Sequence, residues 1–195
     1  MKKVGLTGNM GSGKSLVASI FSTLGIPVYH ADAESKKFLA GKEVKEKILG
    51  KFGEGVLDAS GEVDRHALAS VVFNDPEALN FLTTILHPMV REDFRKWFRS
   101  QKGHPYVIHE AAIIFESGFE KEFDKVIHVY CTIELAIKRI MERDGSGRDH
   151  VMNRMQFQWE DKEKAALSDF VIRNDGSEMI IPQVLEIHRQ LVNLH

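Results

Sequence analysis

The sequence predicts a three-layer α/β fold, with a mainly parallel sheet covered by helices on both faces. Three observations carry that expectation. Strand-like and helix-like segments alternate along most of the chain. A glycine-rich run stands between the first strand and the first helix. One long stretch, 33–102, breaks the alternation with almost purely helical patterning.

Each element has its own justification. Lys3–Thr7 reads as a short strand. After the glycines, Lys14–Leu24 carries Val17, Ile20, Phe21 and Leu24 at helical spacing. Gly25 ends that helix, and Pro27–Tyr29 reads as a second short strand. Tyr106–His109, Lys125–Cys131 and Phe170–Ile172 are further strand candidates. Glu134–Arg143 reads as a helix through Leu135, Ile137, Ile140 and Met141. Met179–Leu194 reads as the last helix, with Val184, Ile187, Leu191 and Leu194 on one face.

Within the helical stretch, Phe52–Gly55 and Asp58–Gly61 are turn signals. Asn74-Asp75-Pro76-Glu77 is a helix start, with a capping residue and an early proline. An insertion between the second and third strands stands over the carboxyl ends of the strands, where open α/β sheets bind ligands. The chain therefore reads as one domain over 1–195: a core of 1–32 and 103–195, and a helical insertion of 33–102.

Composition bounds the function. Apolar residues are 43% and charged residues 28% of 195, which excludes a disordered tail or a disulfide mini-protein. The net charge of −2 and a pI near 6.5 leave no global basic field, so nucleic acid is not an expected partner. The one cysteine, Cys131, lies in an apolar run and reads as a buried structural thiol, which suits a reducing cytoplasm. No apolar stretch approaches the roughly 18 residues that span a bilayer. Met1-Lys2-Lys3 is followed by no apolar signal-peptide region, so the expectation is a soluble, cytoplasmic chain with no membrane contact. The oligomeric state is not legible here.

Gly8-Asn9-Met10-Gly11-Ser12-Gly13-Lys14-Ser15 matches G-x-x-x-x-G-K-[ST] with a strand before it and a helix after it. Glycines let the backbone curl so that consecutive N–H groups point at phosphate oxygens. The following helix adds free N–H groups and the positive end of its dipole. Lys14 brings a mobile charge for the β- and γ-phosphates, and the Ser15 hydroxyl can ligate Mg²⁺. Gly8, Gly11, Ser12, Gly13, Lys14, Ser15 and Leu16 are thus the expected nucleotide-binding residues, and a P-loop NTPase-like fold is the expected architecture. No Asn-Lys-x-Asp guanine motif occurs, and no apolar run ends in Asp-Glu. These features favour a kinase, in which a bound acceptor replaces water.

Other residues carry two readings each. Asp32 follows the second strand and could take a proton from an attacking hydroxyl, or cap a helix over 33–39. Arg139, Arg143, Arg148 and Arg154 surround Asp144-Gly145-Ser146-Gly147. They read as a lid over 139–165 that closes on a nucleotide, or as a solvated helix surface. His87-Pro88 suggests a helix start or a kink, and His87 either meets a ligand phosphate or bonds a neighbouring carbonyl. Glu110 and Glu116 flank an apolar stretch after the third strand. They position an acceptor or Mg²⁺, or are surface carboxylates. No histidine spacing suggests zinc.

The motif set resembles the dephospho-coenzyme A kinase family over nearly the whole chain. Val4-Gly5-Leu6-Thr7-Gly8 through Ser15 is similar to its L-T-G-x-x-G-S-G-K-[ST]. Gly25-Ile26-Pro27-Val28 leading to Ala31-Asp32 matches the segment after its first helix. Gly61-Glu62-Val63-Asp64-Arg65, Leu68, Val72-Phe73 and Leu86-His87-Pro88 resemble its acceptor-domain signature, the most specific part. Ile113-Ile114-Phe115-Glu116-Ser117 resembles its L-L-[FV]-E stretch. Arg139, Arg143-Asp144, Gln158, Asp169, Ile172, Asn174 and Gly176 fit its lid and C-terminal pattern.

The resemblance implies ATP-dependent phosphorylation of the ribose 3′-hydroxyl of dephospho-coenzyme A, giving coenzyme A and ADP, with Mg²⁺. It implies Asp32 as general base, with Lys14, Arg139 and Arg143 on the transferring group. Arg65 and His87 would lie in a helical acceptor domain, and Asn174 near the adenine. His30 stands where the family often has Asp, Ala112 where a proline is usual, and Ala136 where Gln is common. The alternatives are a P-loop kinase for another nucleoside-like acceptor, or a nucleotide-binding switch without acceptor-dependent turnover.

Overall fold

The computed structural model describes residues 1–72 and 74–194. Phe73, part of the acceptor-domain pattern, and His195 lie outside the described residues. Five strands form a wholly parallel sheet: β1 (Lys2–Thr7), β2 (Val28–His30), β3 (Tyr106–Glu110), β4 (Lys125–Tyr130) and β5 (Phe170–Arg173). Their order is β2-β3-β1-β4-β5. β1 is therefore central, and Leu6 pairs with Glu110 on one side and Ile127 on the other. His30 pairs with Glu110 in turn. The carboxyl ends of β1, β2 and β3 thus share one edge of the sheet.

Helices α1 (Lys14–Thr23) and α9 (Ile180–Asn193) cover one face. Val17, Ala18 and Phe21 of α1 and Val184, Ile187 and Leu191 of α9 are buried with Val4, Leu6, Ile108, Ile127, Val129 and Ile172 of the strands. Fully burying one such side chain contributes roughly 1.5–3 kcal/mol, so this cluster is the main stabilising element of the sheet unit. Because successive strand residues point to opposite faces, His109 and His128 project to the other side.

The chain divides into two compact units. One is Met1–His30 with the chain from Trp97 onward; the other is Ala31–Lys96. The second unit is built from α2 (Ala31–Phe38), α3 (Lys42–Phe52), α4 (Arg65–Val72) and most of α5 (Pro76–Ser100). It has its own core of Leu39, Val44, Ile48, Val56, Leu68, Val72, Ala78 and Leu86. Asp64 caps α4 by accepting the His66 N–H at 2.8 Å, and Asp75 caps α5 by accepting the Glu77 N–H at 2.9 Å. After β4 come α6 (Ile133–Asp144), α7 (Arg148–Met155) and α8 (Asp161–Leu167). Ile137, Ile140 and Val151 bury a small core between α6 and α7. Among the described residues no helix is long and apolar enough to cross a membrane.

Several sequence expectations shift. The second strand is Val28–His30 and not Pro27–Tyr29, because Pro27 has no N–H for the ladder and only accepts from Ile108 at 2.9 Å. The next helix begins at Ala31, so Asp32 lies in its first turn and does not cap it. The helical unit runs from Ala31 to Lys96 and not over 33–102, since α5 is one helix that continues into the other unit. Pro88 neither starts nor ends a helix; it sits inside α5.

His109 is 1% exposed, with Tyr29, Phe119 and Phe123 around its ring at centroid distances of 5.3, 5.0 and 5.3 Å. Burial pushes its imidazole down to about 3 from the usual 6.5. The unfolded chain takes up a proton as pH falls through about 6.5, and the folded chain does not until about 3, so stability falls across that window. One such site contributes a slope of at most about 1.4 kcal/mol per pH unit. His109→Phe keeps the ring and removes the proton. Its urea midpoint should drop less between pH 7 and pH 5 than that of the parent chain; an equal drop would contradict this account.

Candidate functional site

The site begins where β1 runs into α1. Gly13 sits at the N-cap of α1 with φ 94° and provides no side-chain cap for the helix. Any L side chain is strained there, and a Cβ would lie 2.1 Å from Asn174 Nδ2. Gly11 has φ 75°, and a Cβ on it would lie 2.5 Å from the Ala136 carbonyl oxygen of α6. The loop is therefore pressed against two neighbouring elements, and only glycine fits at either position.

The loop carbonyls have partners inside the fold. Asn174 Nδ2 donates to the Ser12 carbonyl at 2.6 Å. Arg139 reaches the Gly11 carbonyl, Asn174 Oδ1 and Cys131 Sγ, each at 3.4 Å. The Asn9 carbonyl accepts the Ser12 N–H at 3.1 Å and Lys14 Nζ at 3.4 Å. Lys14 is buried, whereas Ser15 and Leu16 are exposed. The Leu16 N–H donates to the Gly13 carbonyl at 3.1 Å, so it is already engaged. Asn174, expected beside an adenine, has both ends of its amide on the loop and Arg139.

The other arginines stand apart from the loop. Arg143 makes a two-pronged contact with Asp144 at 2.6 and 3.0 Å, and Arg154 reaches the same carboxylate at 3.3 Å. The guanidinium contact lowers the Asp144 carboxyl and raises Arg143. Arg148 pairs with Glu134 at 2.8 and 2.9 Å across α6 and α7.

Glu110 ends β3, is 6% exposed and meets His30 Nδ1 at 2.8 Å. An aspartate at position 30 would set two carboxylates against each other, so the histidine suits its buried neighbour. Glu116 is not a free surface carboxylate: Oε1 pairs with the buried Lys164 and accepts the Trp159 N–H at 3.0 Å. Asp169 serves the sheet, accepting the Val126 N–H at 2.8 Å and Lys125 Nζ at 2.6 Å.

Asp32, Arg65 and His87 all belong to the helical unit. Asp32 and Arg65 are exposed in the first turns of α2 and α4. His87 is half-buried in α5, where burial, with help from the Arg91 charge, lowers its imidazole and keeps it neutral at pH 7. Sequence reasoning missed Lys164 and Trp159. Lys162-Glu163-Lys164 reads as a solvated charge run, and nothing in it marks Lys164 as buried.

Known proteins match this arrangement. A family model described as dephospho-CoA kinase matches residues 2–179. A dephospho-CoA kinase from Bacteroides fragilis is 37% identical over 186 residues, covering 95% of this chain and 90% of its own. A solved structure from Thermus thermophilus superposes with a TM-score of 0.84 at 33% identity, covering 97% of this chain and 96% of its own. A solved dephospho-CoA kinase from Campylobacter jejuni gives a TM-score of 0.70 at 27% identity, with the same coverage of 97% and 96%. With the phosphate loop, the parallel sheet and the near-complete match in hand, the chain belongs to the dephospho-CoA kinase family.

Proposed function

We propose that the chain transfers the terminal phosphoryl group of ATP to the ribose 3′-hydroxyl of dephospho-coenzyme A, giving coenzyme A and ADP. The observation that carries this reading is the phosphate loop, with its carbonyls tied inward and its helix N-terminus uncapped, in a chain of this family. Phosphoryl transfer needs little covalent chemistry from the protein; it needs positioning and charge stabilisation. The loop N–H groups and Lys14 hold the phosphates. Arg139, which reaches the Gly11 carbonyl of the loop at 3.4 Å, stabilises the transferring phosphoryl group. Arg143 is exposed and paired with Asp144, and exposed pairs of this kind hold weakly. Exchanging Asp144 for a phosphate therefore costs Arg143 little.

Asp32 is the general base, taking the proton from the 3′-hydroxyl as it attacks. Arg65 and the neutral His87 are the acceptor-binding residues of the helical unit, and Glu110 is a further acceptor-binding residue. Glu116 supports the site through its structural partners. Among the described residues no cluster of three His, Cys, Asp or Glu side chains could hold a metal ion. Ser15 fits Mg²⁺ as a single exposed hydroxyl beside the loop, the usual arrangement when phosphates supply the other ligands. Bound there, Mg²⁺ would neutralise phosphate charge. The cytoplasm is the expected setting.

The test is ADP formation from Mg²⁺-ATP with dephospho-coenzyme A, beside adenosine and other hydroxyl acceptors. Turnover stimulated by dephospho-coenzyme A alone supports the reading. Tight ATP binding without stimulation by any acceptor would favour a switch protein instead. Asp32→Asn should lower turnover by roughly 10²–10⁴-fold while ATP affinity, read by calorimetry, stays nearly unchanged. Full activity in that variant removes Asp32 as the base. Lys14→Ala should weaken ATP binding and turnover together, and an unchanged pair of values would contradict the role of the loop.

A further inference from the structure

Lys164 of α8 is completely buried. A lysine is almost never buried without a partner. Its Nζ donates to the Ala112 carbonyl at 3.0 Å and pairs with Glu116 Oε1. Ala112 and Glu116 lie in the loop after β3. The Glu116 oxygen that pairs with Lys164 also accepts the Trp159 N–H at 3.0 Å, and the Trp159 ring stacks on Phe115 at 6.4 Å and 14°. Trp159 and Gln158 form a short strap between α7 and α8.

The strap ends on the phosphate loop. Gln158 Oε1 accepts the Met10 N–H at 2.9 Å, and the Trp159 carbonyl accepts Asn9 Nδ2 at 3.2 Å. Asn9 in turn gives its carbonyl to the Ser12 N–H and to Lys14 Nζ. A continuous chain of contacts therefore runs from Lys164 to the residue that grips phosphate. A cavity of about 480 Å³ borders this chain, with Asn9, Met10, Ala136, Met155, Gln158 and Trp159 in its wall.

A buried ion pair is a poor device for stability, since well-packed apolar residues often do as well or better. What the pair supplies is a fixed geometry for four segments. We propose that Lys164 is a positioning residue for phosphoryl transfer. Paired with Glu116, it holds the Gln158–Trp159 strap, and the strap fixes Asn9 and Met10 and through them the phosphate loop. Its turnover consequence rests on the proposed kinase reaction, but its effect on ATP binding does not.

The test compares Lys164→Met, Gln158→Ala and the double variant with the parent chain. Thermal midpoints, calorimetric ATP affinity without acceptor, and kcat with dephospho-coenzyme A are measured at a temperature where all are folded. Each single variant should bind ATP about 10-fold more weakly and lose on the order of 10- to 100-fold in kcat, the scale of a small misplacement near the reacting groups. The double variant should be no worse than the weaker single, because both break one chain of contacts. A lowered midpoint with unchanged ATP affinity and kcat would make Lys164 purely structural and overturn the proposal, as would full additivity. Should Lys164→Met fail to fold, Gln158→Ala decides alone: unchanged ATP affinity overturns the proposal. If the parent chain turns over no dephospho-coenzyme A, the proposed reaction fails, and the ATP affinities still judge the role of Lys164.

Discussion

A loop that offers its N–H groups to an anion must turn its carbonyls the other way. Those carbonyls then need donors of their own, because a buried backbone acceptor without a partner is costly. Here the donors come from far along the chain. The Ser12 carbonyl is held by Asn174 after β5, and the Gly11 carbonyl by Arg139 of α6. The parallel sheet brings both to the carboxyl end of β1, with β4 and β5 on one side of it. The sheet order is thus tied to the geometry of the phosphate loop.

Buried polar residues of the sheet unit are held by partners as specific. Asn174, Glu110 and Lys164 are buried, and each has a specific partner: a loop carbonyl, His30, and Glu116 with Ala112. Such groups contribute modest net stability even when satisfied. They do restrict the number of ways the loops at one sheet edge can be arranged. Catalysis by positioning depends on that restriction, because a phosphoryl group gains little from contacts that are free to drift. Arg143, by contrast, is exposed and contacts its neighbour Asp144.

Much of this was legible in the sequence, for identifiable reasons. The phosphate loop is a local motif whose glycines have no other use, so it reads without tertiary information. The first and last helices read closely because their apolar periodicity reflects a core on one face, and the strands because each is a short apolar run, although β2 is displaced by one residue. The misreadings occurred where tertiary context decides. Of the two readings of Asp32, a general base or a helix cap, the cap fails because the helix starts earlier at Ala31. Of the two readings of Pro88, a helix start or a kink, the start fails because α5 continues through it. Lys164 stands among charged neighbours in the sequence, and only the packing of α8 reveals its burial. Asn174 and Glu116 were singled out in the sequence, but their side-chain partners lie 35 or more residues away and no local pattern encodes them.

Transfer to one particular hydroxyl fixes where the new phosphate stands on the product. Phosphorus NMR of the product formed from Mg²⁺-ATP and dephospho-coenzyme A should show a new monoester on the ribose 3′-oxygen, and the 3′-deoxy analogue should yield none. A monoester at another position, or turnover of the 3′-deoxy analogue at the parent rate, would contradict the account.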